Sequence, residues 1–181
     1  MEVVQLYIII VNVWSGFSMD DMIDEKGVQI SSPSFKDNGM ILKKHTGFDL
    51  DISPAFQIAN LSSNAVSIAI AMDDLDIPFL KAYNHWLIWN IPKTTTIPEN
   101  IPYGAVVKEL GNAKQGVGYG KHRYRGPKQP FFIRKTHRYI FRFYVLDCFL
   151  ELKNTARKED LIKAIDGHIL QQGNITGFYK R

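Results

Sequence analysis

The sequence predicts a mostly-β fold with one helix near its C-terminus, and three patterns carry that expectation. Val66, Ile68, Ile70 and Met72 alternate with Ser67, Ala69 and Ala71, the period of a pleated strand with one face in a core. His137, Tyr139, Phe141, Phe143 and Val145 repeat that period, with Arg138, Ile140, Arg142, Tyr144 and Leu146 on the opposite face. Only one segment reads as a helix. Thr155 is its expected N-cap, Glu159 and Asp160 sit in its first turn, Leu161, Ile162, Ile165 and Ile169 form its apolar stripe, and Gly173 ends it.

Taken in order, residues 1–17 are strand-like and an acidic connector, MDDMIDEKG, follows. The apolar start resembles the core of a secretory leader. However, it follows Glu2 rather than a basic residue and is interrupted by Asn12, so it reads as a β-strand or an interface arm. Val28 to Ile30 leads into a loop, and the stretch from Asp37 to Phe56 mixes Gly, Asp and Pro as short strands joined by turns do. His45 falls in this polar region, where surface exposure is expected. The strand ending near Met72 stops at Asp73, Asp74 and Asp76, closed by Pro78. A second strand opens at His85, with Leu87, Trp89 and Ile91 on its face and Trp86, Ile88 and Asn90 on the other. The repeated prolines of IPKTTTIPENIPYG imply an irregular surface loop, and GNAKQGVGYGKHRYRGPKQP a long basic one. No repeat or linker divides the chain, so residues 1–181 are expected to form one domain.

Composition narrows the function. Hydrophobic residues at 45% and charged residues at 22% suit a soluble globule, and the apolar start is too short to span a bilayer. The single cysteine, Cys148, excludes an intramolecular disulfide framework and any Cys-x-x-Cys metal motif, and is expected to be a quiet thiol inside an apolar strand. A reducing, cytoplasmic setting fits. The net charge of +4 is unevenly spread. Between Leu110 and Leu146 nine basic residues meet no acid, whereas the rest of the chain has 13 basic against 18 acidic residues. That imbalance points to an anionic partner or to a solvated basic face.

No nucleophile elbow or phosphate-binding P-loop is present: WSGFS has the wrong order, and GVGYG lacks the Gly-Lys-Ser/Thr ending. The informative residues are Asp74, Asp76, His85, His137 and the glycine loop 116–130, two imidazoles and two carboxylates at strand ends. In these stretches the sequence resembles the phosphatidylethanolamine-binding protein family, also called Raf kinase inhibitor proteins, and its bacterial and archaeal branch in particular. The family's Asp-Pro-Asp-Ala-Pro turn and following histidine strand correspond to Asp74-Leu75-Asp76-Ile77-Pro78 and His85-Trp86-Leu87-Ile88-Trp89-Asn90-Ile91-Pro92. Its glycine–proline loop and His-Arg-Tyr strand correspond to Tyr124-Arg125-Gly126-Pro127-Lys128-Gln129-Pro130 and His137 to Asp147. The match runs from about Val28 to Arg181, leaving residues 1–27 unmatched. Leu75, Ile77 and Gln129 depart from the pattern, and Phe131-Phe132-Ile133-Arg134-Lys135 replaces a short glycine-containing link.

The resemblance implies a β-sandwich with a large antiparallel sheet, a smaller sheet and a C-terminal helix. It also implies a non-enzymatic pocket for small anions or phosphate-bearing head groups, without a cofactor or metal. Carried over by position, Asp74, Asp76 and Pro78 form one wall, His85 a side, Gly126 and Pro130 the loop, with His137 and Tyr139 opposite. The family's names imply phospholipid head groups and a kinase or protease target. The chemistry agrees, because an anion needs imidazole N–H, phenolic and backbone donors while the aspartates orient the imidazoles and favour their charged form. Two other readings stand beside it: a hydrolase or metal site drawn from Asp74, Asp76, His85 and His137, and nucleic-acid binding through the basic 114–142 segment. The arm from Val3 to Trp14 is a candidate for pairing with a second copy in a homodimer.

Overall fold

β-branched and aromatic residues at alternating positions build most of the ordered backbone, and turn-formers cut it into short pieces. A computed structural model describes residues 27–181. The N-terminal arm and its suggested dimer contact lie outside the described residues. In chain order the elements are β1 (Gln29–Ser31), β2 (Gly39–Met40), β3 (Phe56–Ala59), β4 (Ser67–Asp74), β5 (Tyr83–Pro92), β6 (Thr96–Ile97) and β7 (Val106–Val107). They continue with β8 (Ala113–Gln115), β9 (His137–Leu146), α1 (Lys158–Ala164) and β10 (Ile169–Tyr179).

Two sheets result. A seven-stranded sheet has the order β2-β10-β9-β4-β5-β8-β7, and a three-stranded sheet the order β1-β3-β6. All pairs are antiparallel except β2, which joins the edge of β10 in parallel. The core lies between the sheets, where Phe56 and Ile58 of β3 meet Ile68, Ile70 and Met72 of β4 and Phe141, Phe143 and Val145 of β9. Phe56 packs 5.1 Å from both Phe141 and Phe143 between ring centres. The other face of the large sheet carries a second cluster, in which Ala69, Ala71, Leu87 and Trp89 are covered by Leu150, Ala156, Leu161 and Ile165. The expected alternation of β4 is therefore real, yet both of its faces are buried: the small alanines on the second face let α1 and its leading segment approach closely.

Several expectations change. The helix is short, and the chain reverses at Gly167 (φ +77°), so Ile169 and Gly173 belong to β10 and not to a helix. The proline-rich loop contains β6, and the basic glycine loop begins with β8, each paired into a sheet. β5 starts two residues before His85 and holds two irregularities. One of them, near the left-handed Asn90, returns Ile91 to the core between the sheets while Leu87 and Trp89 face the helix. Cys148 lies beyond the end of β9 and is half-buried. His45 is not exposed but fully buried, donating from Nδ1 to the Ile52 carbonyl at 2.9 Å. Among the described residues no helix is long and apolar enough to cross a membrane.

Candidate anion-binding site

The register of three neighbouring strands places the site. Asp74 ends β4 opposite Tyr139 of β9, and β9 begins two residues earlier at His137. On the other side of β4, Met72 pairs with Trp86 but Asp73 with Asn84, so His85 is the extra residue of a β-bulge. A bulge re-aims one side chain. Here it turns His85 away from the expected face of Leu87 and Trp89 and onto Tyr139, 5.3 Å away between ring centres.

These residues share a cavity of about 330 Å³ lined by Asp74, His85, Pro130, His137 and Tyr139, with Ile77, Tyr83, Tyr119, Lys128, Gln129 and Ile133 completing the wall. That is the size of a small-ligand pocket. The other three expected residues stand elsewhere. Asp76 faces outward and accepts the backbone N–H, Nε and Nη2 of Arg138, each at 2.8 Å. Pro78 is exposed in the turn. Gly126 is buried behind the wall, donating its N–H to Asp51 at 2.8 Å, where an added Cβ would lie 2.0 Å from the His45 carbonyl oxygen.

Hydrogen bonds fix both imidazoles by Nδ1. His137 Nδ1 donates to Asp74 at 2.8 Å, and His85 Nδ1 donates to the Arg125 carbonyl at 2.9 Å. Among the described residues neither Nε2 has a hydrogen-bond partner, and both rings line the cavity. The buried Asp74 carboxylate also accepts the Asp76 N–H at 2.9 Å. Burial, with the Asp74 charge and hydrogen bond beside it, pushes the Tyr139 phenol far above its usual range, so it stays a donor. Burial also lowers His85 below its ordinary value despite the carbonyl of Arg125 and the charge of Asp74. The expectation that nearby acids would favour charged imidazoles does not hold for His85, because desolvation outweighs attraction.

Asp51 and Gln115, unremarked in the sequence, organise the wall together with Gln129, which stands out there only as a departure from the family pattern. Asp51, held at φ +58°, accepts Arg123 Nη2 at 2.6 Å and Gly126 N–H and stands 3.1 Å from Arg125. The buried Gln115 accepts Trp86 Nε1–H at 2.7 Å and donates to the carbonyls of Pro102, Gly104 and His122. Gln129 donates to the Lys135 carbonyl and accepts the Arg181 N–H, closing the altered loop onto the end of the chain. Four of the nine basic residues of the 114–142 segment are committed to carboxylates: Arg123 and Arg125 to Asp51, Arg138 to Asp76 and Arg142 to Asp73.

With this geometry in hand, comparison with known proteins is informative. The family model described as phosphatidylethanolamine-binding protein matches residues 31–180. A UPF0098 protein of Pyrococcus abyssi is 39% identical over 158 residues, covering 87% of both chains. A UPF0098 protein of Methanothermobacter thermautotrophicus is 35% identical over 85% of this chain and 99% of its own. The solved structure of a putative phosphatidylethanolamine-binding protein homologue from Chlamydia trachomatis is similar with a TM-score of 0.74 and 27% identity, covering 86% of this chain and 98% of that one.

Proposed function

The chain belongs to the phosphatidylethanolamine-binding protein family, and on that premise we propose that the cavity beside β4, β5 and β9 binds small anions or phosphate-bearing head groups without transforming them. The observation that carries this reading is the pair of imidazoles anchored by Nδ1, each leaving Nε2 for a guest, with Lys128 at the rim. An anion accepting from both Nε2–H groups is held by charge-assisted bonds of fixed direction. Among the described residues the lining contains no serine, threonine or cysteine nucleophile, and the Asp74 oxygens already accept two N–H donors, which disfavours the hydrolase reading.

The rim favours a head group over a free ion. Phe79 and Leu80 follow the lining residue Ile77, and Phe131 and Phe132 stand between the lining residues Pro130 and Ile133; all four side chains are exposed. Lys81, Arg134 and Lys135 accompany them on the same two loops. Apolar tips among cations suit an anionic group carried at an apolar boundary. Regulation of a kinase or protease, which the resemblance implies, would be exercised from this rim, in a reducing cytoplasmic setting.

Calorimetry with phosphate, phosphoethanolamine and acetate tests the reading. Weak binding is expected, lost in His85→Ala and in His137→Ala. Binding unchanged in both folded variants would place the site elsewhere. Anionic phospholipid vesicles that retain the protein no better than neutral ones would leave free anions as the ligand. Stoichiometric metal with ester or phosphate turnover lost in His85→Ala would replace binding by catalysis.

A further inference from the structure

Beyond the last residue of β9, three side chains of different chemistry converge. The Asp147 carboxylate, the Cys148 thiol and the His168 imidazole bring their ligand atoms within 4.8 Å of one another. The backbone holds them there. Leu146 pairs with Ile169, the Asp147 N–H donates to the His168 carbonyl at 3.2 Å, and the His168 N–H donates to the Ile165 carbonyl at 3.0 Å. The buried Ser67 hydroxyl donates to the Cys148 carbonyl. Only side-chain torsions remain to be set. His168 Nδ1 donates to Asp147 Oδ1 at 2.9 Å, and the half-buried thiol lies within 4.8 Å of both. One carboxylate thus gathers two groups that each carry a replaceable proton.

We propose that Asp147, Cys148 and His168 form a binding site for a divalent transition-metal ion of the zinc class, held by three protein ligands and completed by water. A mixed sulfur, nitrogen and oxygen donor set is what zinc prefers, whereas calcium and magnesium demand oxygen alone. Metal–ligand bonds of about 2.0–2.3 Å put tetrahedral ligands roughly 3.5 Å apart, so the Asp147–His168 pair at 2.9 Å opens slightly while the thiol moves inward by about 1 Å at most, small shifts for partly exposed side chains. Asp147 and His168 are 46% and 48% exposed, so solvent reaches the remaining position. On binding, the thiol releases its proton to solvent, and the imidazole transfers its N–H from Nδ1 to Nε2 so that Nδ1 can ligate. The ten residue steps from His137 to Asp147, at about 3.3 Å each, put this site roughly 33 Å from the anion cavity. The two sites can therefore fail separately.

Because Cys148 is the sole cysteine, its thiol reports the site without ambiguity. Titration of the full chain with Co²⁺ is expected to give a one-to-one endpoint and a thiolate-to-metal charge-transfer band that zinc abolishes by competition. Zinc should also slow the reaction of Cys148 with a disulfide reagent at least tenfold. Asp147→Asn keeps an acceptor for the imidazole N–H but loses the charge, and it should weaken zinc binding at least tenfold while the metal-free protein melts within a few degrees of the parent. His168→Gln should do the same. A folded protein that shows no charge-transfer band with Co²⁺, or a zinc affinity within twofold of the parent in both variants, overturns the proposal. In that case the Asp147–His168 pair is a strand tie alone.

Discussion

Each cavity imidazole spends Nδ1 on an internal acceptor, so an anion can be held through Nε2–H only when that ring is protonated on both nitrogens. Anion binding and proton uptake are then one event. Burial holds His85 below its ordinary value in the free protein, and a bound anion raises it again. Uptake therefore occurs between those two values, and affinity increases as pH falls. Acetate is the cleaner probe, since its own carboxylate titrates well below this range. Its affinity should rise by up to about tenfold per pH unit through protonation of His85, as pH drops toward and below the ordinary histidine value of about 6.5. Calorimetry in two buffers of different ionisation heat measures the uptake; binding with no net proton taken up would rule out this arrangement. Asp74, His85 and His137 were legible in the sequence because each marks the end of an apolar alternation. Asp51 and Gln115 were not, since their partners at Gly126 and Trp86 are joined only by the folded chain. His45 was misread for the same reason: nothing local reveals that Gly126 and Tyr124 close over its carbonyl.

At the scale of elements, the misreading of the C-terminal helix has a physical cause. Leu161, Ile165 and Ile169 keep helical spacing across a boundary that Gly167 sets by its left-handed φ of +77°. The strand beyond it is long but polar in places, because β10 is hydrogen-bonded on both sides, by β9 and β2, whatever its side chains offer. α1 is docked by two contacts of different kind. Leu161 is fully buried among Ala69, Leu87 and Trp89, while Lys158 donates to the buried Asp73 at 2.5 Å, alongside Arg142. Leu161→Ala should lower unfolding stability by about 2–4 kcal/mol, the usual cost of a cavity under a helix. Ile162, which is 40% exposed, should cost under about 1 kcal/mol when cut to alanine. Urea denaturation separates the two. Equal losses would mean that the helix does not rest on the sheet through Leu161.

For the whole molecule, the acid-free basic segment is answered by aspartates from distant parts of the chain, 51, 73 and 76, so the charge imbalance of the sequence is partly cancelled by the fold. The fold class could be read because alternation is local; the burial of both faces of β4 could not, because it depends on which elements come to cover them. This arrangement buries three imidazoles, at His45, His85 and His137, and the first two make stability fall in acid. His45 is buried with its Nε2 lacking a hydrogen-bond partner among the described residues, 3.6 Å from Glu99, and His85 is buried at the cavity. Burial is the largest influence on both, and both lie below the ordinary value of 6.5. The unfolded chain then binds protons that the folded chain refuses, so stability is full above about pH 6.5 and falls as pH drops toward the folded values. The steepest possible slope is about 1.4 kcal/mol per pH unit for each group. Asp76 and Glu99 are lowered as well, by Arg138 and Lys44, and their contributions are lost only below the ordinary carboxylate range, outside this window. Thermal melts between pH 7.5 and 5 should therefore show a decline. His45→Asn, whose side-chain amide can still donate to Ile52, should make that decline shallower even if it lowers the plateau. A flat profile, or one whose slope is untouched by His45→Asn, would mean that His45 is not held neutral by its burial.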